Sequence, residues 1–112
     1  MTFIAVVTTV GTRADAQRIA RSLVEQNIAA CAQISEIESV YQWDGALRHE
    51  PECRVLFKTT SDQYAATEAA IKALHPYELP AIHAFVLEQV SVPYARWIAA
   101  TVKRPGESPS ST

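Results

Sequence analysis

The sequence predicts an α+β protein of ferredoxin-like class, with elements in the order β-α-β-β-α-β, an antiparallel sheet and a short C-terminal helix. Three observations carry that expectation. Apolar periodicity alternates between the extended and the helical repeat along the chain. Asp44-Gly45 lies between two long extended runs, where both central positions of a tight hairpin turn need positive φ. His75-Pro76 stops the second helical run, because Pro76 has no amide to donate and pushes His75 out of the helical basin.

Each element has its own warrant. Phe3 to Thr9 is apolar and β-branched with almost no alternation, as in a strand covered on both faces, and Gly11 ends it. Thr12 with Asp15 resembles a capping box, after which Ala16, Ile19, Ala20, Leu23, Val24 and Ile28 recur at helical spacing up to about Asn27. From Cys31 to Trp43 the chain is extended, but Ile34, Ile37, Val40, Tyr41 and Trp43 change phase, which predicts a bulge or strong twist. The returning strand is expected over Cys53 to Thr59, with Pro51 marking an edge or an irregularity. Thr60 with Gln63 offers a second capping box ahead of a helix through Tyr64, Thr67, Ile71 and Leu74. Ile82 to Val90 reads as the last strand, and Pro93 to Val102 as a final helix with Pro93 in its first turn.

In that fold two helices cover one sheet face and leave the other bare. Ile82, Ala84 and Val86 alternate with Phe85 and Leu87, so both faces of the last strand are apolar. A patch of that size exceeds what a monomer usually exposes, and burial against other subunits is expected.

Length and composition bound the function. A chain of 112 residues suits one domain with its own core, here residues 1–102, followed by a Pro, Gly and Ser-containing segment, 103–112, expected to be a disordered tail. A net charge of -2 gives no basic excess to attract nucleic acid. Met1 to Val7 lacks a positive segment and a long apolar core, so neither signal peptide nor membrane span is expected, and the chain reads as cytoplasmic. Cys31 and Cys53 stand outside any CxxC spacing, and both are expected as free thiols.

Leu23-Val24-Glu25, Ala29-Ala30-Cys31, Tyr41-Gln42-Trp43-Asp44-Gly45, Glu52 ahead of Lys58-Thr59, His75-Pro76-Tyr77-Glu78-Leu79-Pro80, and Tyr94 with Trp97 recur in an order and spacing that resemble the CutA divalent-cation-tolerance family. The resemblance runs from Phe3 to Ile98. It implies a ferredoxin-like protomer similar to the PII signalling proteins, assembled as a homotrimer with exchanged hairpins, and a link to copper and other divalent metals. Three positions depart from the family pattern: His83 stands for an aliphatic residue, Cys53 for an apolar one, and Pro51 for an acidic one.

Soft divalent ions favour thiolate and imidazole, and no two of Cys31, Cys53, His49, His75 and His83 have a local ligand spacing. Any metal site must then be built by tertiary or intersubunit approach. Cys31 is either a packed thiol or a ligand, His75 either a helix C-cap charged toward the dipole or a ligand, and His83 either an interface hydrogen-bonder or a ligand repeated about a symmetry axis. Trp43, Glu52, Lys58, Tyr77, Glu88, Tyr94 and Trp97 form a candidate cleft where the hairpin and final helix of neighbouring subunits meet, in which Lys58 pairs with Glu52 or Glu88 and orients a small anionic ligand; the alternative is interface packing and ion pairs. No organic cofactor is implied. No nucleophile with an adjacent base, glycine-rich phosphate loop or paired acid-base carboxylates is present by spacing, so the chain is read as a non-enzyme. Two functions compete: a trimeric protein that binds or responds to copper and other divalent cations, and a PII-like module that holds a small ligand in intersubunit clefts and regulates a partner protein.

Overall fold

The expected order of elements is present in a computed structural model, which describes residues 1–105. They are β1 (Phe3–Val10), α1 (Arg13–Glu25), β2 (Cys31–Trp43), β3 (Ala46–Thr60), α2 (Tyr64–Leu74), β4 (Ile82–Leu87) and α3 (Val92–Thr101). The sheet runs β2-β3-β1-β4 and every pairing is antiparallel, which is the split βαβ arrangement. From residue 106 on, the expected tail lies outside the described residues. Lys103, placed in that tail by the sequence, is held: its amide donates to the Asn27 carbonyl and its carbonyl accepts from Gln63.

Local chemistry explains the boundaries. Thr12 caps α1 by accepting from the Asp15 amide at 3.1 Å, while Asp15 pairs with Arg18 rather than closing the box. Asn27, at φ 58, ends α1 in the left-handed region, with Ile28 donating to Leu23 and Asn27 to Val24 in a Schellman arrangement. The second expected capping box is absent. A 3-10 turn, Ser61–Gln63, precedes α2, the Thr60 hydroxyl bonds Asp62, and Gln63 is fully buried and bonds Lys103. Asp44 and Gly45 have φ 53 and 77, as the hairpin turn requires.

The expected bulge in β2 is also absent. Pairing runs without interruption from Cys31 opposite Lys58 to Trp43 opposite Ala46, so the returning strand starts at Ala46 rather than Cys53. β1 stops at Val10 opposite Cys53, and beyond that pair the hairpin is a two-stranded arm that is exposed on both faces except at its base, where Glu52 is buried. An arm with no buried side needs no strict alternation, which accounts for the phase change. Pro51 falls in this arm, with a ladder neighbour on one side only, where a missing amide is tolerated. β4 ends at Leu87 rather than Val90 because Leu87 is already opposite Phe3, the first residue of β1.

The main core lies between the sheet and α1 and α2, where Ile4, Val6, Val55 and Phe57 meet Ile19, Leu23 and Ile71. On the other face α3 covers one end only, through Ile98 and Val102 against Ala30 and Phe3. The rest stays bare: Phe85 is 57% exposed and Val86, at the uncovered end of the opposite face, 62%. Phe57, fully buried, should cost about 3–5 kcal/mol when changed to Ala, whereas Leu47→Ala at the exposed arm should change stability by less than about 0.5 kcal/mol. Urea unfolding at fixed protein concentration checks both.

Candidate functional site

Where β1 ends, the bare face becomes a cavity of about 610 Å³. The uninterrupted register puts Ser39, Tyr41 and Trp43 on the same face as Glu50 and Glu52, and Thr9 closes one side. The segment after α2 closes the other with Tyr77, Glu78, Leu79 and Ala81.

His75 steers that segment. Its backbone is extended at φ -75, ψ 133, as Pro76 demands. The ring Nδ1 accepts from the Tyr77 amide at 3.1 Å, so Nε2 carries the proton and donates to the Thr9 carbonyl at 2.9 Å. Burial holds the imidazole below its ordinary pKa, only partly offset by the Thr9 carbonyl and the nearby carboxylates of Asp15 and Glu52. His75 is therefore a neutral corner piece, not a charged helix cap, and neither ring nitrogen is left to hold a metal.

The corner delivers Tyr77 to Glu52. Its hydroxyl donates to Glu52 Oε2 at 2.8 Å, and burial first, then the Glu52 carboxylate, raise its ionisation above the ordinary range. Gly11 makes room, since a Cβ there would lie 3.3 Å from the phenol oxygen. A second pair repeats the motif on the arm, where Tyr41 donates to Glu50 Oε2 at 3.2 Å.

Within one protomer the residues of the expected intersubunit cleft fall into separate groups. Trp43, Glu52 and Tyr77 line the cavity, while Lys58, Tyr94 and Trp97 gather at the far end of β3, six residues or ~20 Å along the strand from Glu52. There the Lys58 ammonium lies 5.2 Å from the Tyr94 ring centre and Tyr94 stacks on Trp97 at 5.6 Å. The Tyr94 oxygen is 3.6 Å from Cys31 Sγ, and that contact, ahead of burial, raises its ionisation. Glu88 lines neither group, but a smaller cavity of about 330 Å³ beside Phe3 and Val90. Within the protomer Lys58 lies outside the main cavity, whose walls carry the carboxylates of Glu50, Glu52 and Glu78.

The proposed metal ligands are separated too. Cys31 sits half-buried beside Tyr94, and His83 lies exposed on the bare face with its ring edge-on to Phe85 at 5.3 Å. Among the described residues no three His, Cys, Asp or Glu side chains converge as a metal site. Sequence reasoning missed Tyr41, Glu50 and Leu79. The two-residue turn at Asp44-Gly45 was a sufficient signal for the first two, because it dictates which hairpin residues share a face.

The family model described as CutA1 divalent ion tolerance protein matches residues 4–101. A probable divalent-cation tolerance protein cutA homolog of Encephalitozoon cuniculi is 36% identical over 107 residues, 96% of this chain and 94% of that one. Protein CutA of Homo sapiens is 33% identical over 94 residues, and the match spans 83% of this chain but only 52% of the human protein. The solved structure of the periplasmic divalent cation tolerance protein CutA from Archaeoglobus fulgidus superposes with a TM-score of 0.88 at 32% identity, over 90% of this chain and 99% of that one. These matches lend no support to the PII-like signalling alternative.

Two outcomes follow from the corner. Because the folded state disfavours protonated His75, the unfolded chain binds more protons near pH 6.5, so stability should be full above that value and fall as pH drops through it. Thermal melts against pH should show this slope in the wild type and a shallower one in His75→Asn. Tyr77→Phe leaves buried Glu52 without its donor and should cost about 1–3 kcal/mol by urea unfolding.

Proposed function

From membership of the CutA1 divalent ion tolerance family, to which this chain belongs, we propose that it acts as a homotrimer that binds copper or another divalent cation with ligands drawn from more than one copy. The observation that carries this reading is the dispersal of soft donors within a protomer, set against a bare apolar face that one of them occupies. His83 stands on that face beside exposed Phe85. Copies meeting through it would bury Phe85 and gather one imidazole from each protomer near a common axis, where three neutral nitrogens suit a borderline divalent ion. Cys31 stays the second candidate, as a thiol within reach of the α3 aromatics. His75 is left out because both nitrogens are engaged.

Assembly through this face couples folding to association, so the melting temperature should rise with protein concentration and native mass measurement should give a trimer. Phe85→Asp should yield aggregated or unfolded chain; a well-folded monomer would overturn the assembly. Calorimetric titration with Cu²⁺ at neutral pH should lose its high-affinity phase in His83→Ala while the mass stays trimeric. Unchanged stoichiometry and affinity would remove His83 as a ligand.

A further inference from the structure

We propose that the cavity at the base of the hairpin arm is a receptor for a free organic cation, an ammonium or guanidinium compound, seated between Trp43, Tyr41 and Tyr77 and held by the carboxylates of Glu50 and Glu52.

Three features of the cavity support this. Its lining contains three aromatic rings and three carboxylates, from Glu50, Glu52 and Glu78, and no Lys, Arg or His. Glu52 is only 8% exposed, yet among the described residues its carboxylate has no ion pair and one hydrogen-bond partner, the neutral Tyr77 hydroxyl. A charge so withdrawn from water without a counterion is costly unless a cation joins it. Arg48 and Arg54 flank the site along β3, opposite Tyr41 and Thr9, but among the described residues neither is paired with these carboxylates.

The two tyrosine-to-glutamate bonds set orientation. Each hydroxyl occupies one oxygen, Oε2, of its carboxylate and leaves the other without a donor among the described residues. A ligand with several N–H groups, or a diffuse positive charge over an aromatic face, matches that arrangement. A small hard ion does not. The carboxylates fail to converge as three metal donors, whereas about 610 Å³ falls in the ordinary range for organic ligands. The cavity is thus distinct in chemistry from the histidine and thiol donors of the divalent-cation reading, and does not rest on it.

The test is calorimetric titration of the full chain, in its native assembly, with benzyltrimethylammonium chloride and with agmatine at constant ionic strength. Saturable binding of at least one probe is expected, unaffected by millimolar Mg²⁺ and weakened about tenfold or more in Glu52→Gln. Glu50→Gln, on the exposed arm, is the second variant should Glu52→Gln fold poorly, and should weaken binding severalfold. His83→Ala should leave it unchanged, which separates this site from the proposed copper site. Absence of saturable binding, affinity untouched by either glutamine variant, or displacement by Mg²⁺ would each overturn the proposal. So would affinity that rises only as dilution dissociates the assembly, because a basic side chain of a neighbouring copy would then be the occupant.

Discussion

A mismatch in strand length organises this molecule: β1 ends at Val10, opposite Cys53, while β3 continues in register with β2 to Ala46. Up to that pair the sheet has a covered face, and Val6, Val55 and Phe57 are wholly buried against the helices. Past it, β2 and β3 have no third strand, and beyond the base covered by Tyr77, Val40, Trp43 and Leu47 remain exposed. A two-stranded ribbon has little stability of its own in water, and the arm must borrow it from what it touches. The vacancy left by the missing third strand is also the seat of the cavity, floored by the ribbon and walled by the segment that follows α2.

That segment reaches its position through one imidazole. Pro76 turns the chain extended, but proline alone does not choose a direction. The bond from His75 Nε2–H to the Thr9 carbonyl does so, tying the exit of α2 to the last paired residues of β1. Neutral imidazole is required, because Nδ1 must accept the Tyr77 amide while Nε2 donates. Burial supplies that neutrality by disfavouring the charged ring. The consequence reaches the site, since Tyr77 can cover Glu52 only from this corner, and only because Gly11 presents no side chain to its hydroxyl.

Legibility in the sequence followed physical range. Helix α1, the proline corner and the hairpin turn depend on neighbours within a few residues, and Thr12, Pro76 and Asp44-Gly45 each announced their element. Strand ends did not, because they depend on where a partner runs out: nothing in Val90 itself says that β1 begins opposite Leu87. Gln63 misled for a similar reason. Its spacing from Thr60 suits a cap, but a distant carbonyl, that of Lys103, claims its amide. At the site, Lys58, Tyr77, Tyr94 and Trp97 were expected together in a cleft between neighbouring subunits, and within one protomer they stand toward opposite ends of β3. Within the protomer, Lys58 lies outside the cavity and the cavity itself is acidic.

Separation of the two clusters has a chemical consequence. At one end of β3 a cation already lies on an aromatic ring, Lys58 over Tyr94, and a thiol adjoins the phenol. At the other, aromatic rings and carboxylates line the cavity, and among the described residues no ion pair neutralises Glu50 or Glu52. In the first cluster the cation and the aromatic ring already answer each other. Glu52 differs because it is nearly as buried as the core yet, among the described residues, is balanced only by a neutral hydroxyl. Conservative neutralisation of that one carboxylate would ease the cost of burial while removing attraction for any cation, so stability and ligand affinity should move in opposite directions there. A residue with a purely structural role would lose in both.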